Sequence, residues 1–152
     1  MAWPTRVSTE GQSGDGIKEF GQDCWDRDQC LKSLCGLLYF SGSTTSGSEG
    51  TVTTAKVRLP NFARANDKLR VAALVRTTSG MASYRIQDNA TSTNGNVVTT
   101  TSTTDTGIES YLTIPDDTWA GTTRTINIRL WTTAGTAYVG SGAMLQNLRI
   151  GD

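Results

Sequence analysis

The stretch RTINIRLWTT, residues 124–133, alternates polar and apolar side chains with a period of two. In an extended strand Ile126, Ile128 and Leu130 fall on one face, and Asn127, Arg129 and Trp131 fall on the other. The same alternation recurs in TVTTAKVRL (51–59), KLRVAALVRT (68–77), ASYRIQD (82–88) and GIESYLTI (107–114). A backbone patterned this way satisfies its N–H and C=O groups by lateral pairing. A sheet with one apolar face must then bury that face against a second layer.

Between these runs stand Asn66-Asp67, Ser79-Gly80, Asn94-Gly95, Pro115-Asp116-Asp117 and Ala134-Gly135, all turn formers. Thr is abundant and suits a pleated surface, while Ser and 16 Gly supply turns. NVVTTTST (96–103) adds a β-branched strand, LLYF (37–40) a further candidate and TAYVGSGAMLQNLRIG (136–151) the last. Leu145 is out of phase with Leu148, which predicts a bulge near Gln146–Asn147. The expected fold is all-β, an antiparallel β-sandwich of jelly-roll type with about seven to nine strands and no internal repeat.

Residues 1–50 read differently. Residues 1–16 read as an extended arm, because Pro4 and the Gly/Ser content oppose a helix. Phe20, Cys24, Leu31, Leu34, Cys35 and Leu38 follow a helical spacing, which predicts one short helix around 23–35. SGSTTSGSEG (41–50) reads as a Ser/Gly/Thr linker. The organisation is an N-terminal arm and helix at 1–40, a linker at 41–50 and a sandwich domain at 51–152. Trp3, Phe20, Trp25, Leu31 and Leu34 are the apolar side chains with which the first segment would anchor to neighbours.

Charge is balanced overall, so no net field draws the chain to nucleic acid or acidic membranes. Residues 1–50 carry four basic and seven acidic side chains, and residues 51–152 carry ten and seven. An acidic arm and a basic body attract each other within or between chains. Arg58, Arg70, Arg76, Arg85, Arg129 and Arg149 occupy the polar phase of strands, either as a solvated face or as a docking surface for acidic partners.

Chemistry is scarce. The absence of histidine excludes Ser-His and Cys-His nucleophilic pairs. Cys24, Cys30 and Cys35 are odd in number and lack paired zinc-ligand spacing, so reduced thiols in a cytosolically made protein are expected. Asp67, Asp88, Asp105, Asp116 and Asp117 fall in expected turns and leave Glu109 as the lone strand-borne acid. Calcium at Asp105, Asp116 and Asp117 is the one cation worth weighing, and turn capping accounts for all three. No enzyme activity, cofactor or structural metal is expected.

Aromatic side chains carry the functional reading. Trp131 shares the outward phase with Arg129, as Tyr111 does with Glu109. With Trp119 and Tyr138 they are candidates for a protein contact patch or a sugar-stacking platform. The ending TAYVGSGAMLQNLRIGD and the preceding RTINIRLWTTAGTAYVG resemble the closing strands of carbohydrate-binding-module jelly rolls. Where that family's last strand often has an acid, Gln146-Asn147 stands here. The layout of anchoring segment, linker and Thr-rich sandwich is similar to tailed-phage virion accessory proteins of the head-decoration and fibre type. That resemblance implies a virion location after assembly in a host cytoplasm, contacts with other virion proteins, and a homo-oligomer with a trimer as the guess. The first resemblance implies glycans instead. Neither implies nucleic-acid or membrane binding.

Overall fold

The computed structural model describes residues 35–141 and 148–150. The expected helix lies outside these residues except for Cys35, as do the anchoring side chains Trp3, Phe20, Trp25, Leu31 and Leu34 and the expected bulge at Gln146–Asn147. The described chain is all-β. Its strands are β1 (Cys35–Gly36), β2 (Ser41–Thr44), β3 (Gly50–Arg58), β4 (Lys68–Asp88), β5 (Val98–Thr100), β6 (Thr106–Thr113), β7 (Thr123–Gly140) and β8 (Leu148–Ile150), with a 3-10 turn at Asp117–Trp119.

Two long strands organise everything else. β4 and β7 pair antiparallel from Leu74↔Gly140 to Asp88↔Ile126, and their register shifts between Thr77 and Ala82. At that shift both strands change the parity of their buried positions. Leu69, Val71, Ala73, Val75 and Thr77 point inward before it, and Ala82, Tyr84, Ile86 and Asp88 after it. On β7, Ile126, Ile128, Leu130 and Thr132 give way to Ala137 and Val139. A change of parity at a bend lets one strand serve two sheets while keeping the same side inward.

The pair therefore folds over a corner into a sandwich. In sheet A, β6 flanks the first half of β4, and β2 flanks the second half of β7. In sheet B, β5 flanks the second half of β4, and β3 flanks the first half of β7. Inside, the Tyr84 hydroxyl donates to the Val71 carbonyl at 3.0 Å. The Ser110 hydroxyl accepts from Ile86 N and donates to Asn96 O. These bonds satisfy polar groups inside a largely aliphatic core.

Three expectations are corrected here. Ser79-Gly80 and Ala134-Gly135 are not hairpin turns separating strands at 68–77 from 82–88 and at 124–132 from 136 onward. Ser79 pairs with Ala134, so each doublet lies at the bend of one unbroken strand. LLYF is not itself a strand: it is the interruption between β1 and β2, with Phe40 inward and Leu37 and Tyr39 exposed. The 41–50 segment is not a free linker, because Ser41–Thr44 pairs with Gly140–Ala137 and completes sheet A. Alternation identifies a strand well; a Gly doublet does not say whether the chain reverses or only bends.

Candidate functional site

The five candidate residues do not converge. Arg129 and Trp131 lie on the outer face of sheet B, Tyr111 and Tyr138 on the outer face of sheet A, and Trp119 inside the domain.

On sheet B, Arg129 stands directly opposite Arg85 across the β4–β7 ladder. Two guanidinium groups at that spacing repel unless an acid lies between them. Glu49 supplies it: its carboxylate accepts from Arg85 Nε and Nη2, each at 2.8 Å, and from Arg129 Nε at 2.8 Å. Burial pushes the Glu49 carboxyl upward, but the hydrogen bonds and charges of Arg85 and Arg129 outweigh it and hold the group below its ordinary value. The loop is set for this by Ser46, whose carbonyl accepts from Thr132 N at 2.9 Å. Trp131 sits two residues beyond Arg129, opposite Ser83, and is half-buried. Its outward phase is as the alternation requires.

Trp119 is only 2% exposed and its ring carries the Arg124 guanidinium at 4.0 Å. It offers no face to a sugar. Arg124 in turn makes a forked pair with Asp88, which is fully buried at the end of β4. Asp88 is thus a strand-borne core acid and not the turn residue expected, and Glu109 is not alone in the strands.

On sheet A the outer face is arranged in cross-strand rows. One row runs Ser43, Tyr138, Arg76, with Asp105 just beyond. Arg76 lies 4.0 Å over the Tyr138 ring and 3.5 Å from Asp105. The next row runs Ser41, Gly140, Leu74, Gly107. A Cβ added at Gly107 would meet no atom within 4 Å, so the row is open beside Leu74. Further along, Arg70 stands 5.2 Å over the Tyr111 ring and 3.8 Å from Glu109. Lys68 approaches the same ring at 5.6 Å. Tyr138, 36% exposed, is the aromatic side chain this face turns to water, and Tyr39, two residues before β2, is 72% exposed.

The strand arginines are largely spoken for. Arg70, Arg76, Arg85 and Arg129 each pair with an acid of the same chain. Four of the six strand arginines are thus engaged by acids within the chain, while Arg58 is exposed at the end of β3. Nothing in the sequence marks Glu49, because a loop acid in a Ser/Gly-rich run carries no periodic signal. Nor do the calcium candidates gather. Asp105 pairs with Arg76, Asp116 accepts from the amide and hydroxyl of Thr118, and Asp117 accepts from Ala65 N at 2.8 Å. Among the described residues no three metal-ligating side chains cluster.

No family model matches this chain, and no curated protein matches its sequence. Solved structures similar to it include that of the infectious bursal disease virus Gt strain (TM-score 0.35, 14% identity, 77% of this chain). Another is a family 16 carbohydrate-binding module (TM-score 0.34, 15% identity, 72% of this chain and 74% of the module). The Bacillus endospore appendage protein gives a TM-score of 0.23 at 11% identity, over 81% of this chain and the whole of that one. The chain spans about a third of the viral protein, 34% of its length.

Proposed function

We propose that this chain is a non-enzymatic structural component of a virion, and that it makes protein–protein contacts through the outer face of sheet A. The observation that carries this reading is the contrast between the two faces. Sheet B's arginines are locked by Glu49, whereas sheet A leaves Tyr138 exposed one row from Leu74, and Tyr39, just before its edge strand β2, is exposed as well. Exposed aromatics flanked by arginine are the usual anchors of protein interfaces. The partners are other virion proteins or further copies of the chain, a trimer being the guessed assembly.

The test uses the full chain and its Tyr39→Ser/Tyr138→Ser variant in sedimentation velocity. Assembly of the parent with loss of assembly in a folded variant supports the reading. A parent that stays monomeric, and that is missing from purified particles of the virus encoding it, overturns it.

A second reading is a carbohydrate-binding module, favoured by the half-exposed Trp131 on the outer face of sheet B. Binding on a glycan array that is lost in Trp131→Ala would select it over the first.

A further inference from the structure

The described body carries a two-fold relation that plain reading of the sequence misses. The residues with positive φ include Asn66 at 73° and Gly121 at 69°, and Gly80 at 69° and Gly135 at 68°. Each pair has the same separation as Thr77 and Thr132, which are 55 positions apart and whose hydroxyl oxygens lie 3.3 Å from each other at the corner.

The strand registers obey the same offset. Arg58↔Thr123 and Thr53↔Ile128 in sheet B match Lys68↔Thr113 and Ala73↔Ile108 in sheet A. The β4–β7 ladder maps onto itself: Leu74↔Gly140 becomes Arg85↔Arg129, Thr77↔Ala137 becomes Ala82↔Thr132, and Ser79↔Ala134 is its own image. The individual hydrogen bonds repeat too. Leu59 N donates to Thr122 O at 2.9 Å, and Ile114 N to Asp67 O at 2.8 Å. Met81 N donates to Thr133 Oγ1 at 2.9 Å, and Thr136 N to Thr78 Oγ1 at 2.9 Å. Before the bulge between Thr51 and Thr53 the offset grows by one, as an inserted residue requires. There Thr44, Ser46 and Ser48 form the same chain of hydroxyl–amide bonds as Thr100, Ser102 and Thr104.

We infer that residues 41–88 and 97–141 are two copies of one three-stranded unit joined in tandem, and that the contact between them is a homodimer interface fused into a single chain. β2, β3 and β4 of the first copy correspond to β5, β6 and β7 of the second. The axis passes through the corner between Ser79 and Ala134, where isologous contact puts each residue against its own counterpart. Two independent corners would have no reason to share left-handed positions, register and hydroxyl bonds at one spacing. The sequences show it only faintly, as Thr77-Thr78-Ser79-Gly80 against Thr132-Thr133-Ala134-Gly135 and Leu59-Pro60 against Ile114-Pro115. The outer faces have since diverged: Arg129 and Arg85 on sheet B correspond to Leu74 and Gly140 on sheet A.

The test imports each copy's residue into the other, in the full chain. Asn66→Gly, Ser79→Ala and Ala134→Ser are each expected to leave the urea midpoint within error of the parent. Gly121→Val and Gly135→Val, residues that neither copy carries, are expected to lower it clearly, because a β-branched residue resists positive φ. Thr78→Val and Thr133→Val, which break equivalent bonds, are expected to lower it equally. Imports as damaging as the foreign valines, or unequal losses from the two threonines, would overturn the duplication. If a valine variant fails to fold, that counts as the expected loss, and the imports and threonines still decide.

Discussion

The fully buried Asp88 carboxylate receives the Arg124 guanidinium at 3.1 and 2.8 Å, while the centre of that guanidinium stands 4.0 Å from the Trp119 ring. Thr91 completes the site, donating its amide at 3.0 Å and its hydroxyl at 2.8 Å to Asp88 Oδ2. The end of β4, the start of β7 and the 3-10 turn are thereby tied at one point. Removing one member leaves the other as an uncompensated charge away from water. Arg124→Met is expected to cost about 3 kcal/mol, within the range for breaking a buried pair. Equilibrium urea unfolding of the full chain measures it, and a loss under about 1 kcal/mol would mean that the pair behaves as a surface one.

Acid sensitivity follows from the same pair and from Glu49. Burial raises Asp88, but the Arg124 and Thr91 hydrogen bonds and the Arg124 charge outweigh it and leave the group below its ordinary value. Glu49 is lowered in the same way by Arg85 and Arg129. A carboxyl depressed in the folded state contributes stability that is fully present above its unfolded pKa and is lost as pH falls through the folded one. Stability should therefore hold near neutrality and fall as the pH drops through and below the ordinary carboxylate range. The urea midpoint followed over that window should fall less in Glu49→Gln than in the parent. Parallel curves would show that Glu49 titrates alike in both states.

Glu49 also predicts a neutral-pH effect. Glu49→Gln keeps the side chain's shape but leaves Arg85 and Arg129 facing each other without a charge between them. Both arginines and Glu49 are about one-fifth exposed, at 22%, 22% and 23%, so water screens part of the repulsion. The expected cost is about 1–2 kcal/mol, shrinking as salt is added. The loop Ser46–Glu49 should lose amide protection in hydrogen exchange, while the β4–β7 ladder keeps it. Equal loss at both places would mean that the clasp supports the whole sheet.

How far the sequence reveals this arrangement depends on the range of the interactions. The inward set Ile126, Ile128 and Leu130 and the outward phase of Trp131 follow from alternation, which is local. The corner does not: Ser79-Gly80 looks like a turn, and only its pairing with Ala134, far along the chain, makes it a bend. Trp119 lies in a turn with no period to place it, so its burial under Arg124 is invisible from spacing. Ser41–Thr44 has no apolar residue, yet it forms an edge strand because β7 offers a partner. The duplication escapes for a related reason. The two copies retain left-handed positions and hydroxyl bonds, which geometry conserves, while Lys56 has become Tyr111 and Leu69 has become Arg124.

Asn94-Gly95 makes a prediction about chemical ageing. A glycine after asparagine leaves the backbone nitrogen unhindered, so that it can attack the side-chain amide carbonyl, expel ammonia and form a cyclic imide that water opens to aspartate or isoaspartate. Here that nitrogen is engaged: Gly95 N donates to Ile86 O at 2.7 Å. Glycine cannot be avoided at this position, since a Cβ would meet the Tyr111 carbonyl oxygen at 2.7 Å and Ile86 Cγ1 at 2.9 Å. The Asn94 side-chain oxygen is held as well, accepting from Gln87 Nε2 at 2.9 Å. Attack then requires the loop to open, and the native rate falls by the fraction of chains that are open. Deamidation at Asn94, followed by peptide mass spectrometry, should run at least about tenfold slower in the folded chain than in urea at the same pH. Ser110→Ala removes the hydroxyl that bridges Ile86 N and Asn96 O at 3.2 and 2.8 Å and should narrow the gap. Equal rates folded and unfolded would show that the Gly95–Ile86 bond does not restrain the nitrogen.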